Sequence, residues 1–153
     1  MLKELKIRNL ALISDLTLEF KEGFNVLLGE TGAGKSIILD AIDFALGAKA
    51  DKNLISHGME LMKVEACFED YNQSVSTVLK EMGFEDEGLL IISRSLGIDG
   101  KSDIKLNGNT LTLSMLKAVT MYLADSYSQH ENLMLLKEKN QLEILDSLTD
   151  GLD

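Results

Sequence analysis

Apolar and polar residues alternate along the first twenty positions. Leu5 and Ile7 fall on one face of a strand predicted over residues 2–8. Over residues 12–20, Leu16, Leu18 and Phe20 point one way and Asp15, Thr17 and Glu19 the other, which predicts a half-buried strand. Lys21-Glu22-Gly23 reads as a turn, and Phe24 to Leu28 as a short buried strand. The period then changes. Ile37, Ile38, Ala41, Ile42, Ala45 and Leu46 form one helical stripe, and Gly47 is a natural C-terminal stop.

Residues 48–60 are polar and irregular. Alternation returns over 62–69 through Val64, Ala66 and Phe68. Residues 73–82 suit a helix, 88–95 and 103–106 suit strands, and 110–114 suit a third. Asn107-Gly108 between them is a strong hairpin signal. Residues 113–122 read as a helix and 131–149 as a longer, leucine-rich one. This order of elements predicts an α/β fold with a mixed sheet.

Composition narrows the function. The chain has 153 residues, 45% apolar and 26% charged, which suits one domain, 1–153, with one core. Its apolar runs fall far short of the ~20 residues of a membrane helix, so no membrane partner is expected. The start is not a signal peptide. Cys67 is the only cysteine, so no intrachain disulfide can form; this fits a reducing cytoplasm. With His57 and His130 far apart, a structural zinc site is not expected. The formal charge of −10 repels a phosphate backbone, so this segment alone is expected to bind DNA weakly if at all.

The chemistry concentrates in residues 29–36. Gly29, Gly34, Lys35 and Ser36 fit G-x-x-x-x-G-K-[ST] without a mismatch, with Glu30, Thr31, Gly32 and Ala33 between them. Glycine permits the torsions that let backbone N–H groups surround a phosphate chain, and the next helix adds its positive end. Lys35 is expected to reach the β- and γ-phosphates of ATP, and the Ser36 hydroxyl to ligate Mg²⁺. A second Gly-Lys-Ser, Gly100-Lys101-Ser102, serves as an internal control. Ser95 stands where its first glycine should be and a hairpin follows in place of a helix, so it reads as a surface turn.

A hydrolytic P-loop enzyme also needs an acid at a strand end and a group that orients water. Asp125, after Met121-Tyr122-Leu123-Ala124, has the best spacing; Glu69 and Asp70 match less well, and Asp146 falls on a predicted helix. No Ser-Gly-Gly element is present. The chain has the front part of an ATPase.

Three segments together carry a resemblance: Leu5-Lys6-Ile7-Arg8-Asn9-Leu10-Ala11-Leu12-Ile13, the loop 29–36, and Leu46-Gly47-Ala48-Lys49-Ala50. With Val64-Glu65-Ala66, Asp99 to Ser102, Asn107-Gly108 and Ala124 to Glu131, they resemble in order the start of the RecN family of bacterial double-strand-break repair ATPases, which are related to the SMC proteins. The resemblance implies the first lobe of an ABC-type ATPase head, with an antiparallel β subdomain, split by a coiled coil towards which a helix over 130–153 would lead. It implies Gln129 as a Q-loop residue near Mg²⁺ and the γ-phosphate. It also implies three partners: the C-terminal lobe of the same head, a second head in an ATP-dependent dimer, and DNA through the full-length protein. A cytoplasmic, nucleoid-associated location goes with these. Hydrolysis would need parts absent here, so this segment alone is expected to be inactive. Lys49, where the family has arginine, and Asp103, where it has a basic residue, depart from the pattern. A self-contained P-loop kinase and a non-catalytic module in which ATP glues heads together are the alternatives. With Arg8 and Arg94 its only arginines, the chain lacks the arginine-rich lid of such a kinase.

Overall fold

The computed structural model describes residues 1–20 and 32–123, with backbone alone at 32–36. β1 (Leu2–Leu10) and β2 (Ile13–Glu19) form a hairpin, and α1 spans Gly32–Ala45. A 3₁₀ turn at Lys52–Leu54 precedes β3 (Leu61–Glu69), α2 (Gln73–Glu81), β4 (Leu89–Gly97), β5 (Ser102–Leu106) and β6 (Asn109–Thr110). A further helix, α3, is described over 113–123. The strands make one sheet of order β2-β1-β3-β4-β5-β6, and every pairing described is antiparallel. The α/β class is as expected. The strand expected over 24–28 and the helix expected over 131–149 lie outside the described residues.

The alternation read from the sequence sets the register. Leu5 faces Ala66 and Ile7 faces Val64 across β1 and β3, and Val64 faces Arg94 across β3 and β4. All five are buried, on the face that carries the helices. Residues of opposite parity make the other face: Lys6, Arg8, Lys63, Glu65, Cys67, Ser93 and Ser95 are half-buried or exposed. Cys67 lies there beside Glu69, Glu4 and Glu65; burial first, and then these carboxylates, push its thiol above the ordinary range.

One predicted strand is cut short. The strand expected over 110–114 is only Asn109–Thr110. Thr112 ends it by accepting the Met115 N–H on its hydroxyl at 3.2 Å, which opens α3 at 113. Asn107 and Gly108 both have positive φ, +49° and +85°, so the turn into β6 is the one their pairing predicts. Asn107 also accepts the Ile91 N–H at 2.8 Å and donates to the Leu89 carbonyl at 3.0 Å, tying the turn to β4.

The β1–β2 turn is strained. Ala11 has φ +51°, a region that costs an L-residue with a Cβ about 1 kcal/mol. Its N–H donates to the Leu54 carbonyl at 2.6 Å and its own carbonyl accepts the Ser56 hydroxyl at 2.7 Å, so the surroundings hold it there. Ala11→Gly is therefore expected to stabilise the chain by about 1 kcal/mol, measured as a raised urea midpoint with an unchanged slope. A lowered midpoint would show that this backbone is not strained.

Candidate functional site

The glycine motif of residues 29–36 and α1 overlap. α1 begins at Gly32, so Gly32, Ala33, Gly34, Lys35 and Ser36 lie in its opening turns, with no acidic residue in the first turn. The first amides of a helix have no partner within it and point outward with the positive end of the dipole. A motif rich in glycine at that place suits a polyanion, and a carboxylate there would have opposed one. Gly29, Glu30 and Thr31 lie outside the described residues, and so do Asp125, Gln129, Asp146 and the Ser128–His130 pair.

The rest of α1 explains how the motif is held. Ile38, Ala41, Phe44 and Ala45 are buried against β1, β3 and β4, with Ile37, Ile42 and Leu46 packed beside them. The predicted stripe is right except that it passes over Phe44, one of the largest buried side chains. Gly47 ends the helix with φ +111°, and a Cβ there would come within 3.2 Å of the Lys117 side chain. Left-handed backbone and close approach thus both call for glycine.

Arg94 clamps the same end. It is 2% exposed and sits on β4 with its guanidinium 4.3 Å from the centre of the Phe44 ring. Its Nη1 donates to the carbonyls of Phe44 at 2.7 Å and Ala48 at 2.6 Å. A cation there satisfies carbonyls at the negative end of α1. Burial draws its pKa below the ordinary arginine value. Thr120 on α3 adds a second tie, donating its hydroxyl to the Leu46 carbonyl at 2.7 Å. Arg94 escaped the sequence reading as a functional residue. Its signal was present, since it shares the inward parity of Leu90, Ile92 and Leu96.

The remaining candidates stand apart. Gly100-Lys101-Ser102 is the β4–β5 turn: Gly97 N–H donates to the Lys101 carbonyl at 2.9 Å, Gly100 has φ +85°, and β5 starts at Ser102. Lys101 and Ser102 are exposed and no helix follows, so the second Gly-Lys-Ser is a surface turn, as expected. Glu69 closes β3, where its carbonyl accepts a hydrogen bond from the amino terminus of Met1; Asp70 is exposed with φ +53°.

A family model described as AAA domain matches residues 4–152. The DNA repair protein RecN of Bacillus subtilis is 36% identical over 95% of this chain, and that of Rickettsia prowazekii is 37% identical over all of it. The chain spans 26% and 27% of the length of these two relatives. A structure solved in a study of ATP-driven dimerization and DNA-stimulated activation of SMC ATPases superposes with a TM-score of 0.65 at 25% identity, covering 95% of this chain and 98% of that one.

Proposed function

The chain belongs to the AAA domain family and corresponds to the N-terminal part of RecN, and from this we propose that it is the ATP-binding lobe of an SMC-like ATPase head acting in DNA double-strand-break repair and recombination. The observation that carries the reading is the start of α1 inside the glycine motif, with no acid in its first turn. The amides of Gly29 to Gly34 and the Lys35 ammonium would hold the triphosphate of ATP, and the Ser36 hydroxyl would serve as a ligand to Mg²⁺. Mg²⁺ held there would supply charge neutralisation and polarisation at the γ-phosphoryl group. Gln129, by the same family likeness, would act at the metal and the γ-phosphate. The three partners are the C-terminal lobe of the same head, a second head joined when ATP is bound, and DNA gripped mainly through the rest of a longer protein. The charge of −10 favours that division of labour. Among the described residues no helix is long and apolar enough to cross a membrane, and we assign the protein to the cytoplasm, at the nucleoid.

Two consequences separate this lobe from a complete enzyme. Mg-ATP is expected to bind the chain, measured by equilibrium dialysis. Phosphate release by the isolated chain is expected to stay at the level of a no-protein control in a coupled colorimetric assay. Robust turnover that disappears in Lys35→Ala would show a self-sufficient active site and sink the division of the head.

A further inference from the structure

The β4–β5 turn, the segment after α1 and the start of α3 enclose a cleft of about 700 Å³, within the size range of small-ligand sites. Three cationic residues line it: Lys49, Lys117 and Arg94. Asp103 is the one acid among its lining residues, and it is engaged by Lys105 at 3.9 Å. A local excess of positive charge runs against the overall balance of −10. Arg94 sharpens the point. No carboxylate pairs with it among the described residues, its named bonds go to backbone carbonyls, and its Nε has no acceptor. Taking a cation out of water costs several kcal/mol unless an anion or a full set of hydrogen bonds compensates it. Lys49 and Lys117 are exposed and line the same cleft, so its positive charge exceeds its negative charge even with Arg94 held by the carbonyls at the end of α1, and an anion would offset the excess. Thr112 and Leu113, at the positive end of α3, also line the cleft.

We propose that this cleft is a second anion site, distinct from the glycine motif, which binds a phosphate group between Lys49 and Lys117, with Arg94 adding a third positive charge. The ligand is a phosphate-bearing small molecule or a phosphate of a nucleic-acid strand. A ligand there sits beside the residue that holds the far end of α1, so the site adjoins the nucleotide-binding element without sharing a residue with the motif.

The test uses inorganic pyrophosphate and the Lys35→Ala chain, in which the glycine motif has lost its lysine. Amide NMR shifts are followed at low ionic strength. The expected result is saturable shifts at Lys49, Gly100, Leu113 and Lys117, with affinity falling at least tenfold when Lys49→Ala and Lys117→Ala are added. Both lysines are exposed, so the variant is expected to fold, and its thermal transition checks that. A short single-stranded oligonucleotide supplies the second arm. Competition with pyrophosphate assigns the site to nucleic-acid phosphates; none assigns it to a small anion. Cleft amides that do not move, or affinity unchanged without the lysines, would overturn the proposal. ATP binding by the unmodified chain reads the glycine motif separately, so either site can fail alone.

Discussion

Replacing Lys35 with alanine is expected to weaken Mg-ATP binding by roughly 30- to 150-fold, the ~2–3 kcal/mol of a charge-assisted hydrogen bond to phosphate. The loss is large because Lys35 lies at the opening of α1, where the unpaired amides already favour the triphosphate and where no first-turn acid offsets it. The fold is expected to survive, because the core contacts of α1 come from Ile38, Ala41, Phe44 and Ala45 further along the helix. Lys101→Ala is the matched control. It removes the lysine of the second Gly-Lys-Ser, which is an exposed turn, and is expected to leave nucleotide affinity within a factor of two. Fluorescence titration with a labelled nucleotide measures both. Equal losses in the two variants would mean that general charge, and not the motif, holds the nucleotide.

The largest effect on stability is expected at Arg94. Arg94→Ala removes two hydrogen bonds to carbonyls at the end of α1, the stacking over Phe44 and the buried stem of the side chain. Its cost is about 3–4 kcal/mol, a large share of a typical total of ~5–15 kcal/mol. Arg94→Lys keeps the charge but offers a rounder, more strongly hydrated head, and is expected to cost about half as much. Chemical unfolding of the three proteins gives the ranking. Were Arg94→Ala within about 0.5 kcal/mol of the parent, the clamp on α1 would be incidental. The comparison also tests whether charge or shape matters more at this position, since the lysine variant retains only the first.

These expectations draw unequally on the sequence. Elements whose period is fixed by burial on one face were legible. Val64, Ala66 and Phe68 mark β3, and the stripe from Ile37 to Leu46 marks α1, because each points the same way into one core. The pattern at 29–36 stands out for a chemical reason, since few residue types allow amides to wrap a phosphate chain, and the structure describes its backbone from Gly32 onward. What stayed hidden depended on contacts between distant segments. The turn at Ala11 is held left-handed by Leu54 and Ser56, some forty residues away, and alanine carries no local signal for it. Arg94 counts in the sequence only as one of two arginines, because its part as a clamp depends on Phe44 and Ala48, more than forty residues away. Residues 110–114 have strand-like composition, yet the Thr112 cap and the burial of Leu116 and Val119 commit the chain to α3 from 113. Tertiary contact overrides local preference in each case.

The fastening of α1 has a mechanical consequence. Bonds of 2.6 and 2.7 Å from Arg94 and of 2.7 Å from Thr120 meet the three carbonyls of Phe44, Leu46 and Ala48 around its last turn. Sliding the rod by a single residue, a step of about 1.5 Å, would lengthen or misalign all three bonds together. The end of α1 is thus tied to both β4 and α3, so a displacement that starts at Gly32 is resisted at its far end by two separate elements.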